Sequence, residues 1–143
     1  MNVRALRTKA GLSAAAVALA GVGLAVTTAT PASALSACSG SKTLYTASGA
    51  LANLPALNGS IYNCQLAQGN AGTGVKRLQL ALNLCYDRDL DLDGIFGPAT
   101  KAALVYAQGK AGTSADGIYG PNTRDAIKWP WWTEAYYSCY KRP

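Results

Sequence analysis

The chain has 143 residues, no histidine, and 13 basic against 7 acidic residues, which give a formal net charge of +6. Without histidine it has no means to form a zinc peptidase with histidine ligands, a Cys-His amidase or transpeptidase, or a Ser-His-Asp hydrolase. The positive charge is mild and unclustered, which argues against nucleic acid as a partner.

Residues 1–34 have the features of a secretory signal peptide. Three basic residues among the first nine precede an uncharged apolar run over residues 12–26, and an A-x-A cleavage motif ends at Ala34. The apolar run is too short for a membrane span. We therefore expect a secreted protein at the cell wall. Loss of Arg4, Arg7 and Lys9 leaves ten basic and seven acidic residues, a net charge near +3.

A lipid-anchored form is the alternative, because residues 35–38 (Leu-Ser-Ala-Cys) fit the pattern that attaches lipid to Cys38. Simple secretion is favoured, since residues 27–34 separate that cysteine from the apolar run. Lipid on Cys38 would also leave an odd number of thiols.

All four cysteines lie in the exported part, where an even count indicates two disulfides. The sequence allows three pairings. We favour Cys38 with Cys64 and Cys85 with Cys139, because the first closes the N-terminal extension on itself and the second ties the first helix to the tail.

The mature chain divides into an extension, residues 35–73, and a helical domain with a C-terminal tail, residues 74–143. In the extension, alternating pieces at residues 43–47 and 60–66 are typical of weak strands and indicate a short hairpin. From Val75 to Cys85, apolar residues recur at helical spacing and predict the first helix.

A pattern over residues 93–104 returns over residues 116–127, offset by 23 residues. In each copy an Asp can accept backbone N-H bonds two residues on, glycines supply positive φ, and a proline suits the first helical position. Gly97 and Gly120 are thus predicted N-caps of helices over residues 98–108 and 121–129. The tail, residues 129–140, holds all three tryptophans.

The acidic run at residues 89–94 imitates the start of a calcium loop, with acids at positions one, three and five and glycine at six. Position twelve is Thr100, which has no carboxylate to offer, and the second copy lacks the acids. We expect no metal and no other cofactor.

The two Asp-Gly-x-x-Gly copies, preceded by a helix with the pattern Leu-Gln-x-x-Leu-Asn, resemble the small helical peptidoglycan-binding domain of bacterial cell-wall enzymes. The resemblance covers residues 72–129 and implies a mainly α fold that binds cell-wall polymer. The matching residues are Val75, Leu78, Gln79, Leu82, Asn83, Asp93, Gly94, Ile95, Phe96, Gly97, Thr100, Ala103, Leu104, Gln108, Gly112, Asp116, Gly117, Ile118, Tyr119, Gly120 and Thr123. The chain departs from the family at Ala107 and Thr113, where a bulky aromatic and a leucine are usual.

The predicted fold is therefore a three-helix bundle with a disulfide-linked N-terminal extension and an aromatic C-terminal tail. Aromatic side chains of the tail are expected to supply the packing that Ala107 and Thr113 withhold.

Candidate ligand-binding residues come from the two repeats and the tail. They are Asp93, Gly94, Phe96, Gly97, Thr100, Lys101, Asp116, Gly117, Tyr119, Gly120, Thr123, Arg124, Trp131 and Trp132. For the Asp, Gly and Thr residues, turn architecture alone is an equally good explanation.

Lys101 and Arg124 each stand one turn inside a helix N-terminus, where the macrodipole prefers an anion. A bound carboxylate would remove that conflict, and peptidoglycan stem peptides end in carboxylates. Reversing either charge is then expected to weaken binding and spare stability. The alternative is two solvated side chains whose stems cover apolar surface.

The aromatic candidates have two interpretations. Phe96 and Tyr119 either flank a groove or anchor the turns in the core, and Trp131 and Trp132 either contact ligand or pack. Packing is favoured for the tryptophans because Cys139 would draw the tail onto the bundle.

The sequence thus favours a secreted, non-catalytic module that binds peptidoglycan, alone or as the targeting piece of a separate wall enzyme. The alternatives are a structural or protein-interaction module with the same fold, and a minimal wall hydrolase with Glu134 as general acid. The pattern supplies no second carboxyl group and no cleft for a hydrolase.

Overall fold

A computed structural model describes residues 35–143, so the predicted signal peptide lies outside the described residues. In chain order the elements are β1 Ser36–Ala37, β2 Gly40–Tyr45, β3 Leu51–Ala56, β4 Cys64–Gln65, α1 Thr73–Tyr86, α2 Pro98–Ala111, α3 Pro121–Ala126, β5 Lys128–Trp132 and β6 Tyr137–Lys141. None of the helices in this part of the chain is long and apolar enough to cross a membrane.

The prediction of a mainly α three-helix bundle is wrong. Residues 35–143 contain three helices and two sheets: a parallel pair β1-β4, and a four-stranded antiparallel sheet in the order β2-β3-β5-β6. The aromatic C-terminal tail, for which no strand was predicted, forms the hairpin β5-β6, with Trp129 paired to Tyr140 and Trp131 to Ser138. The third helix ends at Ala126, and not near Trp129 as predicted.

Pro130 and Pro55 lie inside strands of the large sheet, which explains part of that error. A proline removes a ladder N-H and normally argues against a strand. Here β3 and β5 pair at one position, Leu51 with Trp132. Each strand therefore has a side without a ladder over most of its length, and a proline is tolerated there.

The N-terminal extension contains a hairpin whose first strand overlaps the predicted piece at residues 43–47, but whose second strand is not the predicted one. Its partners are β2 and β3, in register from Gly40 with Ala56 to Tyr45 with Leu51. The piece predicted at residues 60–66 contributes instead the short β4, which pairs with β1. The second strand was missed because its sequence, Leu-Ala-Asn-Leu-Pro-Ala, has low β propensity.

Both predicted disulfides are present, Cys38–Cys64 and Cys85–Cys139. They close loops of 26 and 54 residues, and restriction of the unfolded chain by such loops stabilises by about 3 to 4 kcal/mol each. Cys38 is fully buried and bonded to Cys64, so its sulfur is not free to carry lipid.

The helix starts agree with the prediction. Gly97 and Gly120 are the N-caps of α2 and α3, which begin at Pro98 and Pro121. Each helix therefore starts directly after a repeat turn. We call residues 93–97 the first turn and residues 116–120 the second turn.

The N-terminal segment pairs with both turns. Leu66 and Tyr119 exchange two backbone hydrogen bonds of 2.8 Å, and the Phe96 N-H donates to the Asn70 carbonyl at 2.9 Å. The Gly72 N-H donates to the Gly94 carbonyl at 2.8 Å. Residues 66–72 thus fix the first turn and the second turn relative to each other.

Tail aromatics fill the core beside the second turn. Trp129 is fully buried, its ring meets the ring of Tyr119 edge to face at 5.9 Å, and its Nε1 donates to the Arg124 carbonyl at 2.9 Å. Ala107 is also fully buried. The core thus contains the small side chain of Ala107, where the family usually has a bulky aromatic, and a large indole that β5 supplies.

Candidate functional site

A buried glutamine from α1 holds the first turn. Gln79 donates from Nε2 to Asp93 Oδ1 at 2.8 Å, to the Ile95 carbonyl at 3.1 Å and to Thr100 Oγ1 at 3.3 Å. Its Oε1 accepts from the Gly94 N-H at 2.9 Å. Asp93 Oδ1 also accepts from the Ile95 N-H at 2.8 Å. The turn backbone is therefore fixed from inside the protein.

Gln108 of α2 does the same for the second turn. It donates to Asp116 Oδ1, to the Ile118 carbonyl and to Thr123 Oγ1, each at 2.9 Å. Its Oε1 accepts from the Gly117 N-H at 2.9 Å, and the Ile118 N-H donates to Asp116 Oδ1 at 2.9 Å. The two copies thus form the same hydrogen-bond network.

These networks give the polar repeat residues a structural task. Asp93 and Asp116 each accept two of the bonds, and Thr100 and Thr123 are nearly fully buried. The amide of Gln79 is the main cause of a lowered pKa for the Asp93 carboxyl. In the free protein these four side chains therefore hold the turns together.

Gly94 and Gly117 occupy the two positions in the turns that require positive φ, at 74° and 72°. An added Cβ on Gly94 would lie 3.0 Å from the Gly72 carbonyl oxygen, and one on Gly117 would lie 2.8 Å from Lys101 Cγ. The first turn is thus closed against backbone, and the second against the flexible stem of Lys101.

Phe96 and Tyr119 are core residues, each 1% exposed, and do not line a groove. Burial raises the pKa of Tyr119 well above its usual value. Their neighbours Ile95 and Ile118 point outward instead, with 57% and 44% of their surface exposed. The sequence reasoning missed these two isoleucines as candidate ligand-binding residues. Alternation in an extended segment could have identified them, since neighbours of an inward aromatic face outward.

The two cations differ. Lys101 is exposed, and its stem covers Gly117. Arg124 is 4% exposed and holds Asp125 with two hydrogen bonds of 2.8 and 2.7 Å, while its Nη1 donates to the Ile61 carbonyl at 2.8 Å. The prediction that reversal of Arg124 spares stability conflicts with these contacts, since Arg124 is not a free surface cation.

We use the name turn surface for the outward residues Ile95, Gly97 and Ile118 of the two turns together with Lys101 of α2. Lys101 starts from α2, directly after the first turn, and reaches Gly117 in the second turn. A small cavity of about 200 Å³ lies at the first turn, lined by Ile95, Gly97 and Pro98 among others. The turn surface combines apolar side chains with one cation.

The tail tryptophans divide between the two interpretations. Trp131 is 3% exposed, whereas Trp132 is 36% exposed and its ring centre lies 4.9 Å from that of Tyr137. Both lie in β5 of the large sheet, outside the repeats. As predicted from the sequence, they belong to the tail and not to the turns.

The carboxylates form no metal centre in residues 35–143, where no group of three or more Cys, Asp or Glu side chains is arranged to hold an ion. Asp89, Asp91 and Asp93 all line the small cavity at the first turn, but Asp93 is engaged by Gln79. Glu134, the candidate general acid, is exposed in the turn between β5 and β6.

The segment that contains both turns is similar to a known protein family. Residues 71–127 match the family model "Putative peptidoglycan binding domain". The matched part includes α1, both turns, α2 and α3, and ends before β5. The large sheet and the first disulfide lie outside it.

Among solved structures, the chain is similar to a crystal structure of a peptidoglycan-binding protein from Clostridioides difficile in complex with glutamine hydroxamate. The sequence identity is 33% and the TM-score is 0.46. The alignment covers 58% of this chain and 53% of that one, so the chain spans about half the length of the structure it matches. No curated protein matches the chain.

Proposed function

We propose that this protein is a secreted, non-catalytic module that binds peptidoglycan through the turn surface. The observation that carries the proposal is the match of residues 71–127 to the peptidoglycan-binding family model. The predicted signal peptide and the two disulfides are consistent with an extracellular location.

The geometry favours the turn surface over the rest of the matched region. The Gln79 and Gln108 networks keep the turn backbones in place without a ligand, which lowers the entropy cost of binding. Ile95 and Ile118 then remain exposed, and the Lys101 stem lies against Gly117, the neighbour of Ile118. A peptidoglycan stem peptide offers apolar side chains and a terminal carboxylate, which suit two isoleucines and an ammonium group.

The test is co-sedimentation of the purified, disulfide-bonded protein with insoluble peptidoglycan. We expect the protein in the pellet, with release by soluble stem-peptide fragments. Lys101→Glu should reduce retention several-fold, because it replaces attraction for a carboxylate by repulsion.

Lys42→Glu is the matched control. It makes the same charge change at an exposed position in β2, outside residues 71–127, and should leave retention unchanged. Wild-type protein that stays in the supernatant would overturn the function. Equal loss of retention in Lys101→Glu and Lys42→Glu would mean that net charge, and not the turn surface, binds the protein to the wall.

Catalysis is tested in the same samples. The proposal expects no release of soluble fragments from the wall and no loss of turbidity. Turbidity loss that disappears in Glu134→Gln would instead support the hydrolase alternative.

A further inference from the structure

A cleft opens at one end of the four-stranded sheet, outside residues 71–127. Its volume is about 370 Å³, within the range of roughly 300 to 1,000 Å³ typical of small-ligand sites. We call it the sheet cleft. Residues that line it include Thr46, Ser48, Trp131, Tyr136, Ser138 and Tyr140.

Two tight turns meet at the sheet cleft because of the strand register. Leu51, the first residue of β3, pairs with Trp132, the last residue of β5. The turns β2-β3 and β5-β6 must therefore lie at the same end of the sheet. The Thr46 N-H donates to the Ala50 carbonyl and the Thr133 N-H to the Tyr136 carbonyl, both at 2.8 Å. The walls of the cleft are thus held by backbone hydrogen bonds.

Exposed aromatic rings line the sheet cleft. Tyr136 is 66% exposed and Tyr140 is 62% exposed, whereas Trp131 is 3% exposed. Exposed tyrosine rings grouped beside a cleft are typical of binding surfaces, since each ring offers a flat apolar face and a polar tip. Such faces pack against the C-H groups of a sugar ring.

The indole of Trp131 also differs from its neighbour on the same face of β5. Trp129 Nε1 donates to the Arg124 carbonyl, but Trp131 Nε1 has no hydrogen-bond partner in residues 35–143. A buried donor without a partner destabilises by about 1 to 3 kcal/mol. Trp131 Nε1 is itself buried and shares this state with Arg77 Nε and Tyr119 Oη, so the indole contributes to the cleft as part of its wall.

The polar groups of the sheet cleft suit an uncharged, hydroxyl-rich ligand. Thr46, Ser48 and Ser138 supply hydroxyl groups. The hydroxyls of Thr46 and Ser48 share a hydrogen bond of 2.9 Å and Thr46 Oγ1 also accepts from the Ala50 N-H at 3.0 Å, so these two offer a ligand only part of the capacity of a hydroxyl to donate and accept. Lys141 is the one charged side chain among the described lining residues. A single cation gives little basis for selecting a highly charged ligand.

We propose that the sheet cleft binds a pyranose unit of a glycan chain. The site goes beyond the proposed function, because it lies in a different element from the turn surface and recognises sugar rings in place of carboxylates. Peptidoglycan glycan strands and other wall polysaccharides both present this chemistry. A peptide in the cleft would be a different site and counts against the proposal.

The test is a titration of the purified, disulfide-bonded protein with N-acetylglucosamine tetramer and with cellotetraose, followed by the NMR signals of the indole N-H groups. The signal of Trp131, identified as the one lost in Trp131→Phe, should shift, while that of the buried Trp129 stays in place. A response to the N-acetylated tetramer alone would assign the peptidoglycan type of strand. A response to both would assign pyranose chains in general.

Tyr136→Ala and Tyr140→Ala should each weaken the saccharide affinity about tenfold, as truncation of an aromatic contact residue commonly does. Both side chains are exposed, so the melting temperature should not change. Tyr45→Ala is the matched control: Tyr45 is 70% exposed on β2 but does not line the cleft, and its truncation should leave affinity unchanged.

Three results would overturn the proposal: no shift of the Trp131 signal with either tetramer at millimolar concentration, unchanged affinity in both tyrosine variants, or a shift with a proline-rich peptide and not with saccharide. Lys101→Glu should leave the saccharide titration unchanged. Failure of wall binding at the turn surface is thereby distinguishable from failure of the sheet cleft.

Discussion

Each turn is followed by a helix with a cation near its start, and the two cations differ. Lys101, after the first turn, is exposed, whereas Arg124, after the second turn, is 4% exposed and hydrogen-bonded to Asp125 and to the Ile61 carbonyl. The hydrogen-bond networks of the two turns are otherwise the same. Identical repeat residues therefore build identical scaffolds. The surroundings of each turn decide whether its cation faces solvent or supports the fold.

The difference arises from what packs against each turn. The second turn meets Leu66 through backbone hydrogen bonds, Trp129 packs against its Tyr119, and the ring of Tyr62 lies 4.9 Å from the Arg124 guanidinium. The first turn pairs with residues 69–72 and keeps an open cavity. The two turns thus differ in their surroundings: the cation that follows the first turn faces solvent, and the cation that follows the second turn is enclosed.

Charge reversal of the two cations should give the largest difference in stability between the two turns. Arg124→Glu should lower the free energy of unfolding by about 3 kcal/mol, because it removes the donor to the Ile61 carbonyl and places a buried carboxylate beside Asp125. Lys101→Glu should change it by less than about 0.5 kcal/mol or raise it slightly, since an acid near a helix N-terminus is favourable. Urea denaturation measures both, and equal effects would contradict the distinction.

The glutamine networks are the next largest test. Gln79→Leu and Gln108→Leu should each lower the free energy of unfolding by about 2 to 3 kcal/mol, because each leaves a buried backbone N-H without its acceptor and removes the amide donor to an aspartate and a threonine. Gln68→Leu, at an exposed position, serves as the control and should be nearly neutral. A small loss at one glutamine alone would show that the two turns are not equivalent scaffolds.

Substitution of the turn glycines sharpens the comparison further. Gly94→Ala should cost about 2 kcal/mol and Gly117→Ala about 1 kcal/mol in the free energy of unfolding, since both suffer positive φ but only Gly94 faces rigid backbone. In the Lys101→Ala background, the cost at Gly117 should fall but not vanish, because the two nearest crowding atoms are Cγ and Cε of that lysine and the third is Cγ2 of Val105 at 3.2 Å. Equal losses in the free energy of unfolding for Gly94→Ala and Gly117→Ala would mean that contacts with the added methyl group do not determine these losses.

Acid should act through the carboxylates beside the turns. Gln79 lowers the pKa of Asp93, and the hydrogen bonds from Arg124 lower the pKa of Asp125. A folded-state pKa below the unfolded value of about 3.9 gives stability that is present above that pH and lost as pH falls through the folded value.

The melting temperature should therefore be nearly constant above about pH 5 and fall below about pH 4. Asp125→Asn should melt below wild type at neutral pH, and the gap should narrow in acid, when Asp125 is protonated in both states. A gap that widens in acid would reverse the predicted sign.

Local signals were sufficient to predict part of this molecule. The caps Gly97 and Gly120 and the prolines after them lie within a few residues of the turns they terminate, and the cysteine pairing followed from which segments each bond would close. The large sheet was missed because the pairing of β3 with β5, which joins its two hairpins, is non-local and because its strands contain Pro55 and Pro130.

Of the four residues of the turn surface, the sequence indicated Gly97 and Lys101 as candidates, but not Ile95 and Ile118. The burial of Arg124 depends on the carbonyl of Ile61, 63 residues earlier in the chain, and nothing near Arg124 in the sequence indicates that contact. Ile95 and Ile118 were not predicted, because the adjacent aromatic residues Phe96 and Tyr119 were the candidates for ligand contact. Alternation along each turn was the available signal.

Retention on insoluble peptidoglycan, measured for wild type, Lys101→Glu and the double variant Ile95→Ser/Ile118→Ser, tests the central claim most directly. All three proteins should have similar melting temperatures, because the altered side chains are exposed. The account predicts that wild type sediments with the wall and that both variants lose most of that retention. Wild-type retention that persists undiminished in both folded variants would contradict binding through the turn surface.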